Sequence, residues 1–101
     1  MLNYLLPIGT VVMLKKGNKK LMIIGVKQME AGNPDVVYDY VGVIYPEGYL
    51  GENAVFLFNH DAILDVVHEG YKNPEFDDFV TILGKIQEEM EKTKDNNEED
   101  E

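Results

Sequence analysis

With 101 residues, 45% of them hydrophobic, the chain has the length of one ordinary domain and too much apolar content to be disordered throughout. It contains no cysteine, which removes disulfides, thiol catalysis and thiolate metal sites together, and no serine to act as a nucleophile. A net charge of −10 with no arginine opposes phosphate backbones and acidic headgroups, so nucleic acid and membrane are not expected partners and another protein is.

The opening Met1-Leu2-Asn3-Tyr4-Leu5-Leu6-Pro7 is too short, and lacks the basic flank, for a secretory signal. No apolar run approaches the ~20 residues of a membrane-spanning helix, which makes the cytosol the expected location. Ile8 to Leu14 reads as a first strand, rich in β-branched residues and opened by Gly9. Lys15 to Lys20 reads as its turn, with Gly17 and Asn18 the residues most tolerant of positive φ. Leu21 to Val26 is a second strand whose continuous apolar run implies burial on both faces, and Gly25 within it predicts a bulge or a sharp bend. After a loop over Ala31-Gly32-Asn33-Pro34-Asp35, Val36 to Ile44 forms a third strand and Ala54 to Phe58 a short fourth.

At Asn59 the pattern changes period. Asn59 as N-cap, Asp61 in the first turn, the apolar positions Ile63, Leu64, Val66 and Val67, and Gly70 as terminator predict a short helix over about 60–69. Asn73-Pro74 restarts a helix over about 74–92, where Phe76, Phe79, Leu83, Ile86 and Met90 recur at spacings of three and four. Gly84 in its middle weakens that helix by roughly 0.5–1 kcal/mol relative to alanine, so packing of the stripe into a core is the favoured reading, with a seam for a partner helix as the alternative. Residues 73–101 hold eleven acidic residues against three lysines, and the segment 93–101 is polar and aperiodic, which predicts a disordered acidic tail. Several strands followed by two helices indicate an α+β fold over residues 1–92, a small bent antiparallel sheet of about four strands that approaches a barrel, followed by two C-terminal helices.

Little of this carries chemistry. Asp61, Asp65 and His68 would share one stripe of the expected first helix and could bind a divalent metal, as in a metal-dependent hydrolase, but polar neighbours on one face of an amphipathic helix are the default arrangement. His60 reads as a boundary residue packing its ring on the sheet. The lysines around Gly17 read as solubilising a hairpin tip, and Thr10, Thr81 and Thr93 have no paired base. No enzyme activity and no cofactor are expected. The feature that stands out is Tyr38 to Gly51, where four tyrosines and three glycines occupy fourteen residues. Tyrosine brings large contact area with few rotatable bonds, so Tyr38, Tyr40, Tyr45 and Tyr49, with Phe76, Phe79 and Leu83 of the last helix, are the candidate partner-binding residues, the alternative being that the tyrosine rings complete the core with their hydroxyls at its rim.

Leu6 to Leu14 with Leu21 to Gly25, then Tyr38-Asp39-Tyr40-Val41-Gly42-Val43 and Tyr45-Pro46-Glu47-Gly48-Tyr49-Leu50-Gly51, resemble a small Gram-positive family called domain of unknown function 4176. Phe58-Asn59-His60, Ile63 and Val66-Val67-His68-Glu69-Gly70-Tyr71 match the end of its signature, so the likeness covers roughly residues 5–72. The resemblance implies a cytosolic accessory factor encoded beside LXG-domain toxins and small helical partners of the type VII secretion system, acting as a chaperone or targeting factor. It brings no catalytic or metal-binding residue with it. The rival implication is an immunity protein that covers a toxin's active site, as small acidic inhibitors do by charge complementarity.

Overall fold

The computed structural model describes residues 4–30 and 32–99, with side chains described as far as Met90 except that of Pro34. Met1 to Asn3 of the opening segment, Ala31 of the expected loop, and Asp100 and Glu101 of the expected tail lie outside the described residues. The chain divides into a sheet unit, Tyr4–Tyr71, and a helical unit from Lys72 onward.

The sheet unit contains five strands: β1 Val11–Leu14, β2 Leu21–Glu30, β3 Asn33–Ile44, β4 Val55–Phe58 and β5 Ile63–His68. All pair antiparallel, in the spatial order β4-β3-β2-β1-β5. Short 3-10 turns at Glu52–Ala54 and His60–Ala62 precede β4 and β5. Leu21 pairs with Ile44, Ile23 with Gly42 and Val26 with Tyr40, so these residues share a face, to which β1 adds Val12 opposite Leu21. Val12, Leu21, Ile23, Val26, Tyr40 and Phe58 are buried, and Leu5, Pro7 and Thr10 of the N-terminal segment are buried as well. The bend expected in β2 is present: its register against β3 shifts between Ile23 and Gly25, and Lys27 takes a left-handed φ of 52° two residues later. A Cβ on Gly25 would run into Val41, so glycine lets the two strands close up where β2 turns.

Three expectations are corrected. The helix predicted over 60–69 is a 3-10 turn followed by β5. Ile63, Val66 and Val67 are β-branched, and apolar positions at Ile63, Leu64, Val66 and Val67 suit a strand bordering a sheet as well as a helix. Asn59 makes no side-chain cap, and Gly70 ends no helix. Secondly, the sheet is open rather than a barrel, because β4 and β5 are its two edges and do not pair with each other. Thirdly, the sheet has five strands rather than about four, because Ile63–His68 adds β5; the expected Lys15–Lys20 turn is present, with neither Gly17 nor Asn18 at a positive φ. Gly17 instead donates its N–H to the Leu14 carbonyl at 3.0 Å.

The one α-helix among the described residues, α1 Pro74–Glu99, starts as its sequence demands. Asn73 Oδ1 accepts the Phe76 N–H at 3.0 Å, and Pro74 occupies the first helical position, where a missing N–H costs nothing. It runs on to Glu99, through most of the segment expected to be a tail. The fold is therefore α+β, with a five-strand antiparallel open sheet and one C-terminal helix.

Thr10 joins the two ends of the sheet unit. Its hydroxyl donates to the Pro7 carbonyl at 2.7 Å and accepts the Gly70 N–H at 3.0 Å. A Cβ on Gly70 would collide with the Ile8 carbonyl oxygen and the Thr10 amide. Gly70→Ala is therefore expected to destabilise the sheet unit by about 1–3 kcal/mol in denaturant titrations, through backbone displacement. A Cβ on Gly84 meets nothing within 4 Å, so Gly84→Ala should instead stabilise α1 by about 0.5–1 kcal/mol and raise helical ellipticity.

Candidate functional site

The densest set of polar contacts lies where the chain leaves β4. Tyr40, on the inner face of β3, has no exposed surface. Its hydroxyl accepts the Leu6 N–H at 3.1 Å and lies 2.7 Å from His60 Nδ1. A phenol oxygen both donates and accepts, so this contact forms with Nδ1 as acceptor in one imidazole tautomer and as donor in the other. Phe58 lies tilted on the Tyr40 ring with centroids 5.4 Å apart, and Tyr4 meets the His60 ring edge-on at 5.1 Å.

Asp39, next along β3, binds the same turn from its other side. Its Oδ2 accepts the His60 N–H at 2.9 Å, while its own N–H donates to Asn59 Oδ1 at 3.0 Å. Its Oδ1 accepts from Lys27 Nζ at 2.7 Å and from the Tyr4 hydroxyl at 2.9 Å. Lys27 also reaches the Tyr4 hydroxyl at 3.2 Å. The left-handed backbone of Lys27 sits at this contact, opposite Asp39 in the hairpin of β2 and β3.

Burial alone would raise the Asp39 carboxyl pKa, but hydrogen bonds from Lys27, the His60 amide and Tyr4, with the charge of Lys27, hold it below its ordinary value. Burial alone would lower the Lys27 ammonium, and its bonds to Asp39 and Tyr4 hold it above. Burial pushes the Tyr40 phenol up to about 12. Both Asp39 oxygens are thus taken by Lys27, Tyr4 and the His60 N–H, the Tyr40 hydroxyl and His60 Nδ1 by each other, and among the described residues no buried side-chain nitrogen or oxygen lacks a partner. The cluster holds Tyr4 and Leu6, β2, β3 and the start of the β4–β5 crossing together. Chemically it is a fastening.

The sequence-predicted residues fall in three places. Tyr40 is in the core, so it offers a partner no contact area, which corrects its assignment to a binding surface. Tyr38 is partly buried on the same strand face. Tyr45 and Tyr49 are exposed, with Leu50, in the turn after β3, Tyr49 at 61% and Leu50 at 62%. That turn includes a cis Tyr45–Pro46 bond, Gly48 at φ 84° and Gly51 at φ 118°, both in the region that favours glycine. On α1, Phe79 is exposed while Phe76 and Leu83 are partly covered. Asp61, Asp65 and His68 do not share a helix face: Asp61 lies in the 3-10 turn, and on β5 Asp65 pairs with Met13 and His68 with Val11, on either side of a register shift. Among the described residues no group of three or more His, Asp or Glu could hold a metal ion.

Sequence reasoning did not find Tyr4, Lys27, Asp39 or Asn59. Lys27 and Asp39 are twelve positions apart and meet only through the β2–β3 register. The one available signal was Asp39 between two tyrosines on a strand, a carboxylate that needs a cation across the ladder.

The titrations give a stability profile with two limbs. Tyr40 is raised from its ordinary 10.0, so its contribution is complete below pH 10 and is lost as pH rises toward 12; Lys27, also raised, acts in the same direction above 10.5. Asp39 is lowered, so its contribution is present above pH 3.8 and is lost as pH falls through its folded value. Tyr40→Phe should cost about 1–3 kcal/mol at neutral pH by leaving the Leu6 N–H without its acceptor, and should flatten the alkaline limb. Asp39→Asn should flatten the acid limb. Denaturation midpoints measured across pH test both, and limbs unchanged by these substitutions would contradict the assignment.

No helix of the described residues is long and apolar enough to cross a membrane. No curated protein and no solved structure matches the chain. A family profile does: Domain of unknown function (DUF4176) matches residues 5–79, which takes in the whole sheet unit from Leu5 and the first turns of α1. The chain belongs to the DUF4176 family.

Proposed function

We propose that this protein is a non-enzymatic, cytosolic binding factor that holds an LXG toxin of the type VII secretion system, or one of the toxin's small helical partners, before export. The observation that carries the reading is the exposure of Tyr45, Tyr49 and Leu50 in one turn at the centre of the family signature. Large amphipathic rings on a shaped turn are suited to gripping a protein surface. Phe56 on the edge strand β4 is exposed as well. The titratable groups of the sheet unit that make close contacts are engaged in holding the fold, which favours binding over bond-making chemistry.

The acidic composition favours a second reading, an immunity protein that covers a basic toxin domain. The two separate in cells. An immunity protein protects sensitive cells expressing the toxin domain without the export apparatus; a chaperone does not.

Co-expression with an LXG toxin is expected to give a complex that survives size exclusion. Tyr49→Ala combined with Leu50→Ala should weaken that complex by at least about tenfold, which is about 1.4 kcal/mol, with no change in melting temperature because both side chains are exposed. A toxin and helical partners that all elute separately from the wild-type chain would overturn the reading.

A further inference from the structure

We infer that the exposed apolar stripe of α1 is a docking face for one basic amphipathic helix of another protein. This rests on the reading of the chain as a protein-binding factor, and it concerns a surface apart from the Tyr45–Leu50 turn.

At 3.6 residues per turn, Phe79, Ile82, Ile86 and Met90 fall within a sector of about 80° on one side of the helix, over about three turns. They are 45%, 53%, 49% and 62% exposed. Phe76, Val80 and Leu83 occupy the adjoining side and are less exposed, so the apolar face of α1 is wider than a coiled-coil seam and its exposed part is one border of it. Four large apolar side chains aligned in the open mark an interaction site, and a rise of three to four residues between them is the spacing a partner helix reads.

Charge selects the occupant. Glu75 lies in line with the stripe one turn before Phe79, the row flanking it on the open side is Asp78, Lys85 and Glu89, and the whole helix carries nine acidic residues against three lysines. An antiparallel second copy would set this acidic row against itself; a parallel copy would set it against the apolar Phe76–Val80 row. The repeat from Phe76 to Met90 spans two heptads, short of the three or four that sustain a coiled coil of identical chains. A helix from another protein, with lysines or arginines beside its own apolar seam, meets Glu75, Asp78 and Glu89 with opposite charge and covers the stripe.

The test uses the full chain and two synthetic amphipathic peptides with one shared Leu/Ile seam, one flanked by Lys and Arg, the other by Glu. The basic peptide should bind at least about tenfold more tightly in fluorescence anisotropy, with the gap narrowing at high salt. Ile86→Asp should abolish that binding while leaving the circular dichroism spectrum intact. Charge reversal by Glu75→Lys, Asp78→Lys and Glu89→Lys should transfer the preference to the acidic peptide. Failure of the basic peptide to bind, equal affinity for both peptides, or binding that survives Ile86→Asp would overturn the inference. So would a dimer in sedimentation equilibrium that Ile86→Asp dissolves. If an LXG protein co-purifies with the wild-type chain while the basic peptide does not bind, the helix inference falls and the binding-factor reading stands; if none co-purifies with the wild-type chain, the broader reading has failed.

Discussion

Four residues, Asn59 to Ala62, carry the chain from one edge of the sheet to the other, and the rest of the sheet unit is arranged around that crossing. In a flat sheet of five strands the edges lie about 19 Å apart. Three of the four crossing residues are coiled in a 3-10 turn, which advances only about 2 Å per residue. The turn touches β3 at its start, where His60 N donates to Asp39, and β1 at its end, where the Ala62 carbonyl accepts the Lys15 N–H at 2.9 Å. Both contacts are met only if the sheet curls strongly. The shifted register at Gly25 and the left-handed Lys27 supply the curl in β2, and Gly42 lets the Phe58 ring lie close against β3.

A curled but open sheet leaves its interior exposed at the ends unless something fills them. The N-terminal segment does so: Leu5, Pro7 and Thr10 are buried, Leu6 is tied to Tyr40, and Thr10 is tied to Gly70. Tyr40 therefore serves twice. Its ring packs with Phe58 in the core, and its hydroxyl links the N-terminal segment to the β4–β5 crossing. Removing the phenol oxygen leaves the part-buried Leu6 N–H without its acceptor, a penalty that adds to the loss of the hydrogen bond itself.

The parts of this fold legible in sequence are those set by local chemistry. The β-branched run at Val11-Val12, the apolar run at Leu21 to Ile24 and the Asn73-Pro74 start of α1 each specify their element without help from distant residues. Residues 59–70 were not legible in that way. Pairs of apolar residues at 63–64 and 66–67 fit a helical face as readily as a strand, and the pairing of β5 with β1 that decides between them joins residues more than fifty positions apart. Alternation put Tyr38, Tyr40 and Ile44 on one face, but which of them is enclosed depends on where the sheet curls. The fastening around Asp39 was hidden for the same reason, since a Lys27–Asp39 pair exists only once register and bend are both fixed.

The family signature thus divides by physical role. Tyr38-Asp39-Tyr40, Phe58-Asn59-His60 and the Leu5–Thr10 segment hold the crossing and the N-terminal plug, whereas Tyr45 to Gly51 holds no core. That turn is nevertheless well fixed. Tyr45 N donates to the Lys20 carbonyl, Gly48 N to Ile44 and Ala54 N to Gly51, and Lys19 pairs with Glu47 at 2.9 Å. The ion pair is exposed and adds little, so the backbone bonds do most of the holding. Ordering a loop on association costs about 0.5–1.5 kcal/mol for each side chain immobilised, beyond the backbone entropy. A turn whose backbone is already bonded has met the backbone part of that cost during folding. Tyr49 and Leu50 stand exposed on such a backbone, which is the arrangement that lets a small apolar contact area yield net affinity.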